Sequence, residues 1–350
     1  MKPIPLFALF FLLFAAQCFS QSIGVSVIGA GQMPNLAVDH SADLHLVYGN
    51  GDSILYETSI NGGRSFSAPL LVATQTQLYA FATRGPQIAC TNNGVTIIAA
   101  SQSGNIYSYL KNKAGQWKKT ARVNDVGEIA KEGLMALGGD GATLFAVWLD
   151  LRGNSRNKIF GASSVDGGRT WSKNKLVYAS PDSTVCECCK PSVAVKGNTI
   201  YVMFRNWLHG NRDLYLIKSV DRGKSFGVAQ KQGQGNWPIN GCPMDGGAIA
   251  VDTKNNAQTI WRRQDTIFAN APEQKETALG KGKNCSIETI NNTNVYAWNE
   301  QGEIVCLLPN GKKYQLGKGV LAIIKAVGTN KVVCVWENEK KIQRAIVSLL

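Results

Sequence analysis

The densest concentration of reactive side chains in this 350-residue sequence is Val185-Cys-Glu-Cys-Cys-Lys-Pro191, which places three thiols in four residues. A fourth thiol lies in Trp237-Pro-Ile-Asn-Gly-Cys242-Pro-Met-Asp245. Such a set admits three chemistries. A disulfide from the first group to Cys242 requires α-carbons about 4.4 to 6.8 Å apart. The thiolates of Cys186, Cys188, Cys189 and Cys242, with the thioether of Met244, are soft ligands suited to copper(I) or zinc. A labile bridge between close cysteines can also undergo exchange. Spacing alone leaves all three open. Cys90, Cys306 and Cys334 fall in apolar runs, where cysteine behaves as a small buried hydrophobe. Of the three histidines only His209 lies in a loop suited to a site, and without a second nearby it is a poor general base.

Disulfides and labile bridges persist only in an oxidising compartment, so the N-terminus bears on the choice. Met1-Lys2 is a short positive start, and Ile4 to Ala16 is an almost unbroken apolar run, too short for a membrane-spanning helix. Residues 1–20 are therefore expected to be a signal peptide, with Gln21 as the mature N-terminus. A lipid-attachment reading of Cys18 fits Ala15 and Gln17 poorly. Export leaves eight of the nine cysteines, an even number that permits pairing. The protein is expected in the periplasm, at the cell surface or in the medium, with no transmembrane segment. A formal charge of +13, from 37 basic and 24 acidic side chains, raises the local concentration of anions. The basic residues are scattered pairs such as Lys118-Lys119 and Arg262-Arg263 rather than a stripe with interleaved aromatics, which argues against nucleic acid.

The elements that must position these side chains are short strands separated by turns, and the sequence repeats. Ser59-Ile-Asn-Gly-Gly-Arg-Ser-Phe66, Ser164-Val-Asp-Gly-Gly-Arg-Thr-Trp171 and Ser219-Val-Asp-Arg-Gly-Lys-Ser-Phe226 align without gaps. Each copy can close locally. The Asp or Asn side chain accepts from backbone N–H groups just downstream, and Gly63, Gly168 and Gly223 take angles that cost other residues more. Their acids are thus structural. Two strand-like runs precede each copy, as in Thr143-Leu-Phe-Ala-Val-Trp148 and Lys158-Ile-Phe-Gly-Ala-Ser163, and worn units without the motif follow. Innermost strands can be traced at Asn35, Pro86, Gly133, Pro191, Gly247, Cys285 and Leu321, giving seven units. The last unit runs out of chain before a fourth strand, whereas Ser22 to Ile28 is a strand with no unit of its own. Pairing the two would close a ring and remove its exposed edges.

The pattern Ser-x-Asp-x-Gly-x-Thr-Trp resembles the Asp-box (BNR repeat) of sialidases and related β-propellers, and Ser164 to Trp171 matches it at every defined position. The resemblance implies an all-β propeller of four-stranded antiparallel blades formed by residues 21–350 as one domain. Seven blades are favoured by the count, with six, the number in true sialidases, as the alternative. It also implies that function gathers at one end of the central channel, where the residues before the inner strands meet the loops after the second strands. There the cysteine segments resemble those of a secreted bacterial subgroup with a Cys-x-Cys-Cys-Pro segment and a later Cys-Pro, except that Lys190 intervenes before Pro191 here.

Sialidases grip a substrate carboxylate with three arginines, and arginine's planar fork suits that task. Arg84, Arg205 and Arg262 occupy like positions and are the expected substrate-binding set, with Asp245 and Glu132 as candidate catalytic acids. The family's chemistry is otherwise not visible: Ser101 to Asn124 contains no acid, and neither Tyr296 nor Tyr314 is marked as a nucleophile. The expected function is therefore binding of an acidic glycan at the channel mouth, with hydrolysis of exo-α-sialidase type as its extension. A non-catalytic, thiol-rich propeller that holds copper or zinc or docks a protein is the alternative. A monomer is expected.

Overall fold

The structure, a computed structural model, describes residues 23–112, 114–271 and 274–349. The expected signal peptide lies outside the described residues. No described helix is long and apolar enough to cross a membrane.

Seven four-stranded antiparallel sheets form the seven blades of a propeller, which excludes the six-bladed alternative. The first runs Gln32–Val38, Leu44–Asn50, Ser53–Ser59 and Leu70–Thr74, from the channel outward. The next five repeat this order, with inner strands Gln87–Thr91, Met135–Asp140, Ser192–Lys196, Ala248–Val251 and Lys283–Ile290. Blade 7 has Val320–Val327, Lys331–Asn338 and Lys341–Ser348, and its outer strand is Val25–Ala30 from the other end of the chain. Val25 pairs with Ala345 and Ala30 with Lys341 across this closure. The ring is thereby tied at its seam by main-chain hydrogen bonds, and no blade is left with an unpaired edge at the join.

The blades adhere through apolar layers between successive sheets. Ala37, Tyr56, Ile88 and Ile97 join blades 1 and 2, and Leu46, Tyr48, Val333 and Val335 join blade 7 back to blade 1. The second strand of each blade is buried on both faces, so it reads as a continuous apolar run such as Thr143–Asp150, in which every residue is buried. Near the end of that strand six blades place an aromatic at one equivalent position: Tyr48, Trp148, Phe204, Trp261, Trp298 and Trp336, all at most 2 % exposed. The Ser-x-Asp turns face the preceding blade. In the third, Ser164 Oγ donates to Asp166 Oδ1 (2.8 Å), Thr170 N donates to the same oxygen (3.0 Å), and Gly168 N donates to Ser164 Oγ (2.9 Å). Gly168 has φ +79°, and a β-carbon there would stand 2.8 Å from Thr96 of blade 2. Glycine is therefore required twice, for its backbone angle and for the close approach.

Candidate functional site

All seven inner strands run away from the same end of the channel. They line a cavity of about 490 Å³. Its wall includes Asn35, Gln87, Lys190, Asp245, Asn284 and Cys285 at the entry of the strands, and Glu288 and Lys325 further along. The entries are irregular: the inner pairings of blades 1, 6 and 7 slip register at Gln32/Asn35, Lys283/Ser286 and Val320/Ile323. Met33, Asn284 and Leu321 in these bulges have φ near +60°, and Met244 before the blade 5 strand has φ +50°. Such bulges re-aim side chains at the rim of a closed sheet.

The arginines expected to bind substrate have other partners. Arg205 is 1 % exposed, and its guanidinium donates only to carbonyl oxygens: Asp245 O at 2.9 and 3.0 Å, Arg212 O at 2.7 Å and Arg262 O at 3.0 Å. Arg262 places Nε 3.0 Å from Asp245 Oδ2 and donates from Nη2 to Pro243 O at 3.0 Å. Both guanidiniums lie over the Trp237 ring. Arg84 donates to Glu132 O (2.5 Å) and Ala82 O (3.0 Å), and its Nη2 is 3.6 Å from Glu132 Oε2. The fold thus brings Arg205, Arg262 and Asp245 together and sets Arg84 with Glu132. In both groups the arginines organise the rim and hold its acids.

Asp245 is 2 % exposed. Oδ2 accepts from Asn284 N at 3.2 Å and faces Arg262, whereas Oδ1 is buried without a hydrogen-bond partner among the described residues. Burial raises its carboxyl above the usual aspartate value, with Arg205 and Arg262 pulling the other way. Lys190 lines the same cavity from the entry of blade 4. Nζ donates to Gln87 Oε1 at 2.8 Å, an oxygen that also accepts from Asn35 Nδ2 at 3.0 Å, so one amide links blades 1, 2 and 4. Among the described residues Lys190 has no carboxylate partner, unlike Lys325, which meets Glu288 at 3.0 Å. Desolvation accordingly lowers its ammonium pKa to about 8. The close packing depends on Gly246, where a β-carbon would stand 2.1 Å from Lys190 O.

The four cysteines converge beside this mouth. Cys188 and Cys242 form a disulfide with α-carbons 6.2 Å apart, which ties the entry of blade 4 to that of blade 5. Cys186, Cys188 and Cys189 keep their sulfurs within 4.8 Å of one another, a spacing that suits a soft cation. With Cys188 bonded to Cys242, the ligands left for copper(I) or zinc are the Cys186 and Cys189 thiols, 3.3 Å apart. Arg212 Nη1 donates to Cys186 Sγ at 3.0 Å and its guanidinium lies over the Trp207 ring at 4.2 Å. The hydrogen bond with Cys189 chiefly, and the charge of Arg212, bring the Cys186 thiol down to about 6 against its own burial, while burial pushes Cys189 up. Cys285 lines the channel, Cys306 and Cys334 are buried in the core, and His209 is exposed with Nδ1 4.0 Å from Asp182.

Sequence reasoning passed over Arg212, Gln87 and Lys190 as site residues. Arg212 sits in a loop with no periodic signal. Gly246-Gly247 was the available clue to Lys190, because adjacent glycines before an inner strand mark a close backbone approach.

No family model matches the chain, and no curated protein matches it. Among solved structures, a polysaccharide lyase of family PL25, an ulvan lyase bound to -[GlcA(1-4)Rha3S]-, superimposes with a TM-score of 0.55 over 94 % of each chain at 10 % identity. Virginiamycin B lyase from Staphylococcus aureus gives 0.55 at 11 % identity, over 93 % of this chain and 99 % of that one. NanB sialidase from Streptococcus pneumoniae is more distant, with a TM-score of 0.47 at 13 % identity over 99 % of this chain and 71 % of its own. The likeness to the two lyases is one of fold.

Proposed function

We propose that the protein is an exported propeller that binds an acidic saccharide at its channel mouth. Lys190 receives the anionic group. The carrying observation is an ammonium inside a cavity lined by seven blades, hydrogen-bonded to a neutral amide at 2.8 Å and without a carboxylate ion-pair partner among the described residues. A carboxylate or sulfate placed there recovers charge interaction that burial has removed. A net charge of +13 draws polyanions toward the rim. The PL25 lyase, a propeller-like neighbour in fold, was solved with a uronate- and sulfate-bearing chain. Arg205, Arg262 and Arg84 act in this reading as positioning residues that hold Asp245 and Glu132. Hydrolysis would draw on Asp245, whose raised carboxyl leans in the direction a general acid requires. Residues 1–20 serve as the export signal.

Calorimetry of the mature chain with a sulfated glucuronate oligosaccharide and with sialyllactose tests the reading. Binding is expected at pH 7 and is lost in Lys190→Met. Because the Lys190 pKa is lowered to about 8, the cation is present below that pH and disappears above it. Affinity should therefore fall about fivefold between pH 8 and pH 9 and by roughly tenfold per pH unit beyond that. Absence of binding by the folded wild type, or binding that Lys190→Met leaves unchanged, overturns it.

A further inference from the structure

The four-cysteine group contains more than a structural bridge. Cys186 Sγ lies 3.6 Å from Cys188 Sγ, one sulfur of the disulfide, and 3.3 Å from Cys189 Sγ. Cys188 Sγ and Cys189 Sγ are 3.9 Å apart. Cys186, Cys188 and Cys189 are 1 %, 9 % and 2 % exposed, whereas Cys242 stands at the surface. Two buried thiols thus lie behind a disulfide whose outer sulfur, that of Cys242, faces solvent. The guanidinium of Arg212, 3.0 Å from Cys186 Sγ, supplies the positive charge that a thiolate needs in a buried place.

We propose that this group is a thiol–disulfide exchange centre in which the bond passes from Cys188–Cys242 to Cys186–Cys189, leaving Cys242 as a free surface thiol open to exchange with a disulfide-bearing partner. In the first step the Cys186 thiolate attacks Cys188 Sγ. A Cys186–Cys188 bond forms, the Cys188–Cys242 bond breaks, and the electron pair leaves on Cys242, which takes a proton from water. In the second step Cys189 gives its proton to solvent and attacks Cys186 Sγ. The Cys186–Cys189 bond forms, and Cys188 leaves as a thiolate that is protonated in turn. One disulfide is consumed and one is made, so no external oxidant or reductant is required. Attack by a thiolate through a mixed disulfide is the ordinary course of such exchange.

The arrangement is directional. The attacking sulfur is the one that Arg212 Nη1 approaches at 3.0 Å, and Cys189 stands behind it at 3.3 Å, placed to resolve the mixed disulfide. The leaving sulfur is the exposed one, so its charge is released into water. Transfer of the bond also removes the covalent tie between the entries of blades 4 and 5. This exchange is independent of any ligand in the channel.

Acid quenching, alkylation and non-reducing peptide mapping of the purified full chain test the proposal. Held at pH 5 the 188–242 linkage should persist; at neutral and alkaline pH, with alkylating agent present to trap the released thiol, labelled Cys242 and the 186–189 linkage should appear together and in equal amounts, because attack needs a thiolate. Arg212→Gln should slow the appearance of labelled Cys242 severalfold by removing the cation beside Cys186 Sγ, and Arg212→Lys should restore most of it. Cys189→Ser should stop at a 186–188 linkage with Cys242 labelled. A 188–242 linkage that is invariant with pH, with Cys186 and Cys189 both alkylated, overturns the proposal. So does a chain with the 186–189 and 188–242 bonds present simultaneously, since two static staples leave no attacking thiol.

Discussion

Glu57 is a carboxylic acid with no exposed surface, placed in blade 1 beneath the strand that closes the ring. Tyr48 donates its hydroxyl to Oε1 at 2.6 Å, and Oε2 has no hydrogen-bond partner among the described residues. Burial outweighs that one hydrogen bond and raises the carboxyl above its ordinary value. The folded chain therefore keeps a proton on Glu57 at pH values where the unfolded chain has lost it. Stability from this residue is complete below the unfolded pKa and is lost as pH rises through the raised one. Each unit of elevation corresponds to about 1.4 kcal/mol at neutral pH. Glu57→Gln keeps an acceptor for Tyr48 and has no charge to desolvate, so urea midpoints should be higher than wild type at pH 7 and converge with it near pH 4. A variant less stable than wild type across that range would contradict the assignment.

At the scale of the element, the second strand of each blade does most of the packing. Its terminal aromatic bridges two sheets, and three of the tryptophans also place their indole N–H: Trp298 on Lys281 O, Trp336 on Lys318 O, each at 2.9 Å, and Trp148 on Asp150 Oδ2 at 2.9 Å. Trp336 lies in the layer between blades 6 and 7 with no exposed surface. Trp336→Ala leaves a cavity there and should cost about 3–5 kcal/mol in chemical denaturation. A loss below 1 kcal/mol would mean that the layer collapses around the gap. The Ser-x-Asp turns contribute differently. Asp221, exposed at its turn, is held low first by the Ser225 hydroxyl and then by the Ser225 amide, so its charge serves local closure.

The whole molecule depends on one seam. Val25–Ala30 is the outer strand of blade 7, and its removal would leave Lys341–Ser348 with an unpaired edge and separate the two ends of the ring. A chain beginning at Gly31 should unfold at a temperature several degrees below the mature chain, at roughly 2–4 °C per kcal/mol lost. It should also scatter light on standing, because exposed edges template association. Equal melting temperatures and clear solutions would show that blade 7 is held by its other contacts.

Repetition made the architecture legible from the sequence. A propeller needs the same alternation of short apolar strands and turns in every blade, so Ser164 to Trp171, once seen, located the inner strands from Asn35 to Leu321 and the orphan strand that closes the ring. The proximity of the cysteines was legible for the same reason, since equivalent entries of adjacent blades must lie side by side. What each side chain does there was decided by the tertiary structure. Arg205 and Arg262 look like free cations in the sequence, yet backbone carbonyls and Asp245 at the entry of blade 5 occupy them. Lys190 looks incidental, yet in the channel its ammonium has no carboxylate partner among the described residues. The division of four thiols into one bridge and one close pair is also a tertiary result. Pairing and protonation depend on distances of a few ångströms and on which charges burial leaves uncompensated, and strand periodicity carries neither.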